Sequence, residues 1–85
     1  MKIGYSARFW RLYNKLPADI KILVKERLEI FKNDYLDPRL KTHKLTGELD
    51  GYYAFRINYA HRVIFKIFDK EIILMVAVGD HSIYQ

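Results

Sequence analysis

Cysteine is absent from this 85-residue sequence, which excludes disulfide staples, thiolate metal sites and a cysteine nucleophile. Two prolines and four glycines leave no room for a flexible linker or a Gly-rich phosphate loop. No apolar run approaches the ~20 residues that a membrane helix needs, and the opening MKIGYSARFW does not read as a secretory leader. There is no HExxH, no Asp-x-Asp loop and no Ser-His-acid pattern with local support. Three scattered histidines have no recognisable metal-ligand spacing. The expectation is a cytoplasmic protein, because a small domain without disulfides suits a reducing compartment, and neither a cofactor nor a metal is expected.

What is present suits one small domain over residues 1–85. The hydrophobic fraction is 51% and the aromatic fraction 15%, ample for one tight core. Fifteen Lys/Arg against ten Asp/Glu give a formal charge of +5. The excess is uneven. Residues 39–62 hold Arg39, Lys41, Lys44, Arg56 and Arg62 against Glu48 and Asp50, together with His43 and His61. That concentration favours an anionic partner.

Residues 2–5 read as a first strand, and Ser6 is placed to cap a helix over 7–15 that aligns Phe9, Leu12 and Tyr13. Pro17 ends that helix and opens a second, Ala18 to Asn33, with Ile20, Leu23, Val24, Leu28 and Phe31 as its apolar stripe. Asp37-Pro38 breaks the helical pattern, and residues 39–51 read as a connector. The period then changes to two, with Tyr53, Phe55 and Ile57 alternating on one strand and Val63, Phe65 and Ile67 on the next. Asp69-Lys70 marks a tight turn, and residues 71–78 are apolar on both faces, as in an interior strand. The predicted order is β-α-α-β-β-β. This is an α+β fold: an N-terminal strand, an antiparallel helical hairpin, then three antiparallel strands, with the helices on one face of the sheet.

Register arithmetic adds a functional point. For 53/55/57 and 63/65/67 to face the helices together, the hairpin loop must hold an odd number of residues, most simply 58–60. Residue 57 then pairs with 61, and Arg56 lies directly opposite Arg62 on the face away from the helices. Tyr52 and Lys66 follow along the same rows. Asn58 or a neighbour is expected to take the left-handed conformation in that loop. Like charges opposed across a ladder are destabilising, so either an anion sits between them or the two arginines splay apart into solvent on an open sheet face.

His81 follows the end of the last strand, where a sheet fixes a side chain and a turn leaves it open. With two arginines, His43, Lys44 and Tyr84, the inventory fits cleavage of RNA, which carries its own nucleophile in the 2′-hydroxyl. Such cleavage needs a base, cations on the developing phosphorane charge and an acid for the leaving oxygen. A histidine with an ordinary pKa of about 6.5 suits proton transfer. Tyr52, Tyr59 or Tyr84 offers a ring for base stacking. The residues alone support an RNA-cleaving or RNA-binding domain.

The stretches His43-Lys-Leu-Thr-Gly47, Gly51-Tyr-Tyr-Ala-Phe-Arg56-Ile, His61-Arg62-Val-Ile-Phe65 and Val78-Gly-Asp-His81-Ser-Ile-Tyr84 together resemble the RelE/ParE superfamily of bacterial and archaeal toxins. The resemblance is nearest to the RelE, YoeB and YafQ types, which cut messenger RNA in the ribosomal A site and are silenced by a co-transcribed antitoxin. It implies that Arg56 and Arg62 bind the phosphate, that His81 is the general acid and that Tyr84 orients the base or the 2′-hydroxyl. His43 is the first candidate for the general base, followed by Glu48 and then His61, which parity turns toward the helices. The glutamate that YoeB-type toxins use as base has no counterpart here; only Asp37 lies in that region. Lys41, Lys44, Tyr52 and Lys66 are candidates for holding the RNA strand. The implied partners are the antitoxin, the ribosome and mRNA. Two alternatives accompany this reading: a ParE-like poison of DNA gyrase, and a non-catalytic basic RNA-binding module.

Overall fold

A computed structural model describes residues 2–69 and 71–84. Strand β1 (Lys2–Tyr5) leads through Ser6 into helix α1 (Ala7–Asn14), and Pro17 precedes helix α2 (Ala18–Asn33). A 3₁₀ turn, Pro38–Leu40, starts the return to the sheet. The short strand β2 (His43–Lys44), a second 3₁₀ turn (Gly47–Leu49), β3 (Tyr53–Arg56), β4 (Arg62–Asp69), β5 (Ile72–Gly79) and a closing 3₁₀ turn (His81–Tyr84) follow.

The five strands lie in the order β1-β5-β4-β3-β2. β1 runs parallel to β5, and the other pairs are antiparallel. The helices carry the chain from one edge of the sheet to the other, and the last four strands return as a meander. The expected β-α-α-β-β-β order therefore gains one strand. His43 and Lys44, within the predicted connector, pair with Ala54 and Tyr53. A two-residue edge strand is too short to leave any alternation in sequence. The predicted turn after Asp69 includes Lys70, which lies outside the described residues; Asp69 Oδ1 accepts from the backbone N–H of Glu71 at 2.8 Å.

Ser6 does more than cap α1. Its hydroxyl accepts from Phe9 N at 2.9 Å and donates to Val76 O at 2.8 Å. Val76 is the extra residue of a β-bulge, where the register passes from Ile64↔Ala77 to Phe65↔Met75. A bulge disrupts the ladder locally, and Ser6 gives this carbonyl its partner. The bulge also lets Val78, Met75 and Ile73 join the core beneath the helices, where a strict period of two would split them.

That core holds Phe9, Val24, Phe31, Phe55, Val63 and Phe65, each with no exposed surface. Phe31 of α2 stacks on Phe55 at 4.9 Å and meets Phe65 edge-on at 5.0 Å. The predicted odd residues of β3 and β4 thus face the helices. The opposite face carries a smaller apolar cluster of Ile64, Ala77 and Ile83, with Leu45 and Leu49 packed against it. Among the described residues no helix is long and apolar enough to cross a membrane.

Candidate active site

The face of the sheet away from the helices opens into a cleft of about 810 Å³. His43, Glu48, Arg56, Arg62, His81 and Tyr84 line it, brought from five separate segments. Ala54 and Ile64, buried on the same face, lie one row along from the arginines. Leu45 and Leu49 form an apolar wall.

Arg56 pairs with Arg62 across β3 and β4, as the parity argument requires. The loop behind them obeys the predicted length, with Ile57 N donating to His61 O at 2.9 Å. Its conformation differs from expectation, since no residue of 58–60 has positive φ. Asn58 Oδ1 instead accepts from Ala60 N and His61 N, both at 2.8 Å, so a side-chain acceptor does what left-handed backbone was expected to do. Arg56 Nε is buried and has no hydrogen-bond partner among the described residues. A buried guanidinium N–H beside a second arginine has the chemistry to donate to an anion.

His43 stands on β2, opposite Ala54, and its Nδ1 lies 2.9 Å from the carbonyl of Lys41. A carbonyl oxygen only accepts, so Nδ1 carries the hydrogen and Nε2 of the neutral ring keeps its lone pair. Lys41 itself is in the left-handed region at φ 50, a conformation that costs about 1–2 kcal/mol outside glycine. Glu48, on the second 3₁₀ turn, also borders the cleft.

His81 and Tyr84 come from the closing 3₁₀ turn, with their rings 5.1 Å apart and nearly edge-on. Burial pushes the Tyr84 phenol above its usual range, against a smaller opposing pull from the Arg62 charge. Tyr84 is therefore a neutral hydrogen-bond donor at physiological pH. Gly79 leaves space for this turn, because a Cβ there would come within 2.7 Å of the Ile83 side chain. Asp80 starts the turn, accepting from Ser82 N at 2.9 Å and Ser82 Oγ at 2.6 Å. Those bonds hold its carboxyl below the ordinary carboxylate range.

Other candidate residues lie elsewhere. Lys44 pairs with Tyr53 and so points to the opposite side of β2 from His43. Lys41 contributes its carbonyl to His43 and is not part of the cleft lining. Tyr52 and Lys66 share the sheet face of the arginines, but four residues along β4 from Arg62, about 13 Å at 3.3 Å per residue. There the Lys66 ammonium sits over the rings of Tyr52 and Phe68, at 5.3 and 5.4 Å. His61 was expected to turn toward the helices; its Nδ1 faces Asn58 Oδ1 at 3.1 Å, within its own loop. Asp37 is held by Arg39, whose Nη2 lies 2.8 Å from Oδ2, and neither lines the cleft. Leu45, Thr46 and Leu49 also line the cleft and were not expected from sequence, because a short apolar pair in a connector carries no periodic signal.

No family model matches the chain. Over 78 residues it is 28% identical to the toxin YoeB of Synechocystis sp., covering 88% of this chain and 91% of that protein. YafQ from Escherichia coli strain BL21(DE3) has the same fold, with a TM-score of 0.81 at 18% identity over 98% of this chain and 96% of that one. YoeB in the YoeB–YefM complex of Staphylococcus aureus gives a TM-score of 0.74 at 25% identity, covering 95% and 97%. The chain thus has the fold of the YafQ and YoeB toxins and is similar in sequence, along nearly its whole length, to toxins of the YoeB type.

Proposed function

We propose that this toxin is a ribosome-dependent endonuclease of messenger RNA, the toxic half of a type II toxin–antitoxin pair acting in the cytoplasm. The observation that carries the reading is the pair of opposed arginines, one with an unpaired buried Nε, flanked in one cleft by two histidines.

The chemistry follows from those groups. Nε2 of His43 takes the proton of a ribose 2′-hydroxyl, and the freed oxygen attacks the adjacent phosphorus. Arg56 and Arg62 hold the non-bridging oxygens, where negative charge grows in the phosphorane-like transition state. The bond from phosphorus to the 5′-oxygen breaks, and protonated His81 gives that oxygen its proton. The products are a 2′,3′-cyclic phosphate and a 5′-hydroxyl. Tyr84 donates a hydrogen bond or offers its ring to the neighbouring base. Base, charge stabiliser and acid are all side chains, so the reaction as written calls for no metal. Glu48 borders the same cleft and is the alternative base; His43 is preferred because its bond to Lys41 O leaves Nε2 free.

A co-produced antitoxin is the assigned protein partner. The YoeB of the S. aureus complex is bound to YefM, and the YafQ of a further E. coli structure is bound to DinJ. A chain of net charge +5 suits an acidic inhibitor as well as it suits RNA.

The test is a cell-free translation reaction with the purified protein or its His81→Ala variant, in which the 5′ ends of the message are mapped. Cleavage within codons that needs ribosomes and is lost in the variant supports the reading. Intact message with undisturbed translation overturns it.

A further inference from the structure

A second depression of about 580 Å³ adjoins the cleft, and the two share Arg62 and His81. Tyr59, Ala60, Asp80 and Ser82 complete its lining. Tyr59 is 86% exposed at the tip of the β3–β4 loop, and none of the core clusters includes it. An aromatic ring so open at a loop tip contributes little to folding. The loop beneath it is nonetheless held firmly, by the bonds of Ala60 N and His61 N to Asn58 Oδ1 and of Ile57 N to His61 O. The ring is thus presented on a pinned support beside Arg62 and His81.

We infer that this depression is a nucleobase subsite, in which the base on the far side of the scissile phosphate stacks on Tyr59 while the other nucleotide occupies the main cleft. The inference rests on the nuclease reading above. Shared walls make Arg62 and His81 the ridge over which the strand passes, with one nucleotide on either side. Charge selects a base over a second phosphate here. The Asp80 carboxylate, kept ionised by its bonds to Ser82, repels a phosphate and accepts from the N–H groups of a base edge. Stacking on an aromatic ring tolerates every base, so Tyr59 supplies affinity and position, and Asp80 biases the choice toward donor-bearing edges.

The test uses ribosomes programmed with a message that carries fluorescent 2-aminopurine on one or the other side of the cleavage position. The scissile 2′-hydroxyl is replaced by hydrogen, so binding proceeds without reaction. Wild-type protein is compared with Tyr59→Ala, Tyr59→Phe and the double variant Arg56→Ala/Arg62→Ala. The expected result is protein-dependent quenching at both positions, of which only one is lost in Tyr59→Ala and restored in Tyr59→Phe. Apparent affinity falls by about tenfold in the alanine variant. Quenching that depends on the arginines but is the same in Tyr59→Ala at both positions overturns the subsite and leaves the nuclease reading standing. Signals that do not depend on the arginines at all remove both.

Discussion

The two faces of the sheet are built on opposite terms. Beneath the helices, Phe9, Phe31, Phe55 and Phe65 are wholly buried and packed ring against ring. On the other face the buried apolar residues are few, Ala54 and the small cluster of Ile64, Ala77 and Ile83, and arginines face each other at their border. A domain this small has little stability to spare. It concentrates packing on one side and leaves the other free to hold like-charged groups side by side. Stability and activity should therefore separate by face.

Substitutions can break or sharpen that separation. Phe65→Ala removes the ring that Phe31, Phe55 and Tyr53 all meet, and should destabilise the fold by about 3–5 kcal/mol, enough to lose most folded protein. Denaturant titration followed by circular dichroism checks this. His81→Ala, on the open face, should lower message cleavage by roughly 10²–10⁴-fold while the thermal midpoint stays put. A large fall in midpoint would show that the faces are not separable there. Gly79→Ala sits between these cases. Its Cβ meets Ile83, so about 1–3 kcal/mol of overpacking and a displaced closing turn should lower both stability and cleavage.

The smallest effect belongs to neither face. Asp37, its carboxyl held at about 2 by hydrogen bonds from Arg39, is depressed from its ordinary 3.8. A depressed carboxyl contributes stability above its unfolded value and loses it as pH falls through the folded one. Asp37→Asn should therefore lower the thermal midpoint slightly near neutral pH. The difference should fade between pH 3.8 and about 2. Thermal melts of both proteins across that range check the sign.

Much of this was legible in sequence because it rests on periodicity. The helical stripe from Ile20 to Phe31 and the alternation in β3 and β4 each follow from one face meeting a core. The opposed arginines needed only the further constraint that both strands bury odd-numbered residues. What was hidden depends on contacts distant in the chain. The bulge at Val76 answers a Ser6 hydroxyl seventy residues away. β2 exists because β3 offers an edge, and its pairing decides that His43 and Lys44 point to opposite sides, which composition cannot reveal. Asn58 replaced the expected left-handed residue by bonding its own loop, a choice both conformations leave open to the same residue type.

The central claim is that the open face cuts RNA through the ribose hydroxyl. The most direct measurement is the chemistry of the cut ends, read by mass spectrometry on message cleaved by the purified protein on ribosomes. A 2′,3′-cyclic phosphate, or the monophosphate it hydrolyses to, opposite a 5′-hydroxyl is the predicted result. A 3′-hydroxyl opposite a 5′-phosphate would mean that water attacked instead, and would contradict the roles given to His43, Arg56, Arg62 and His81.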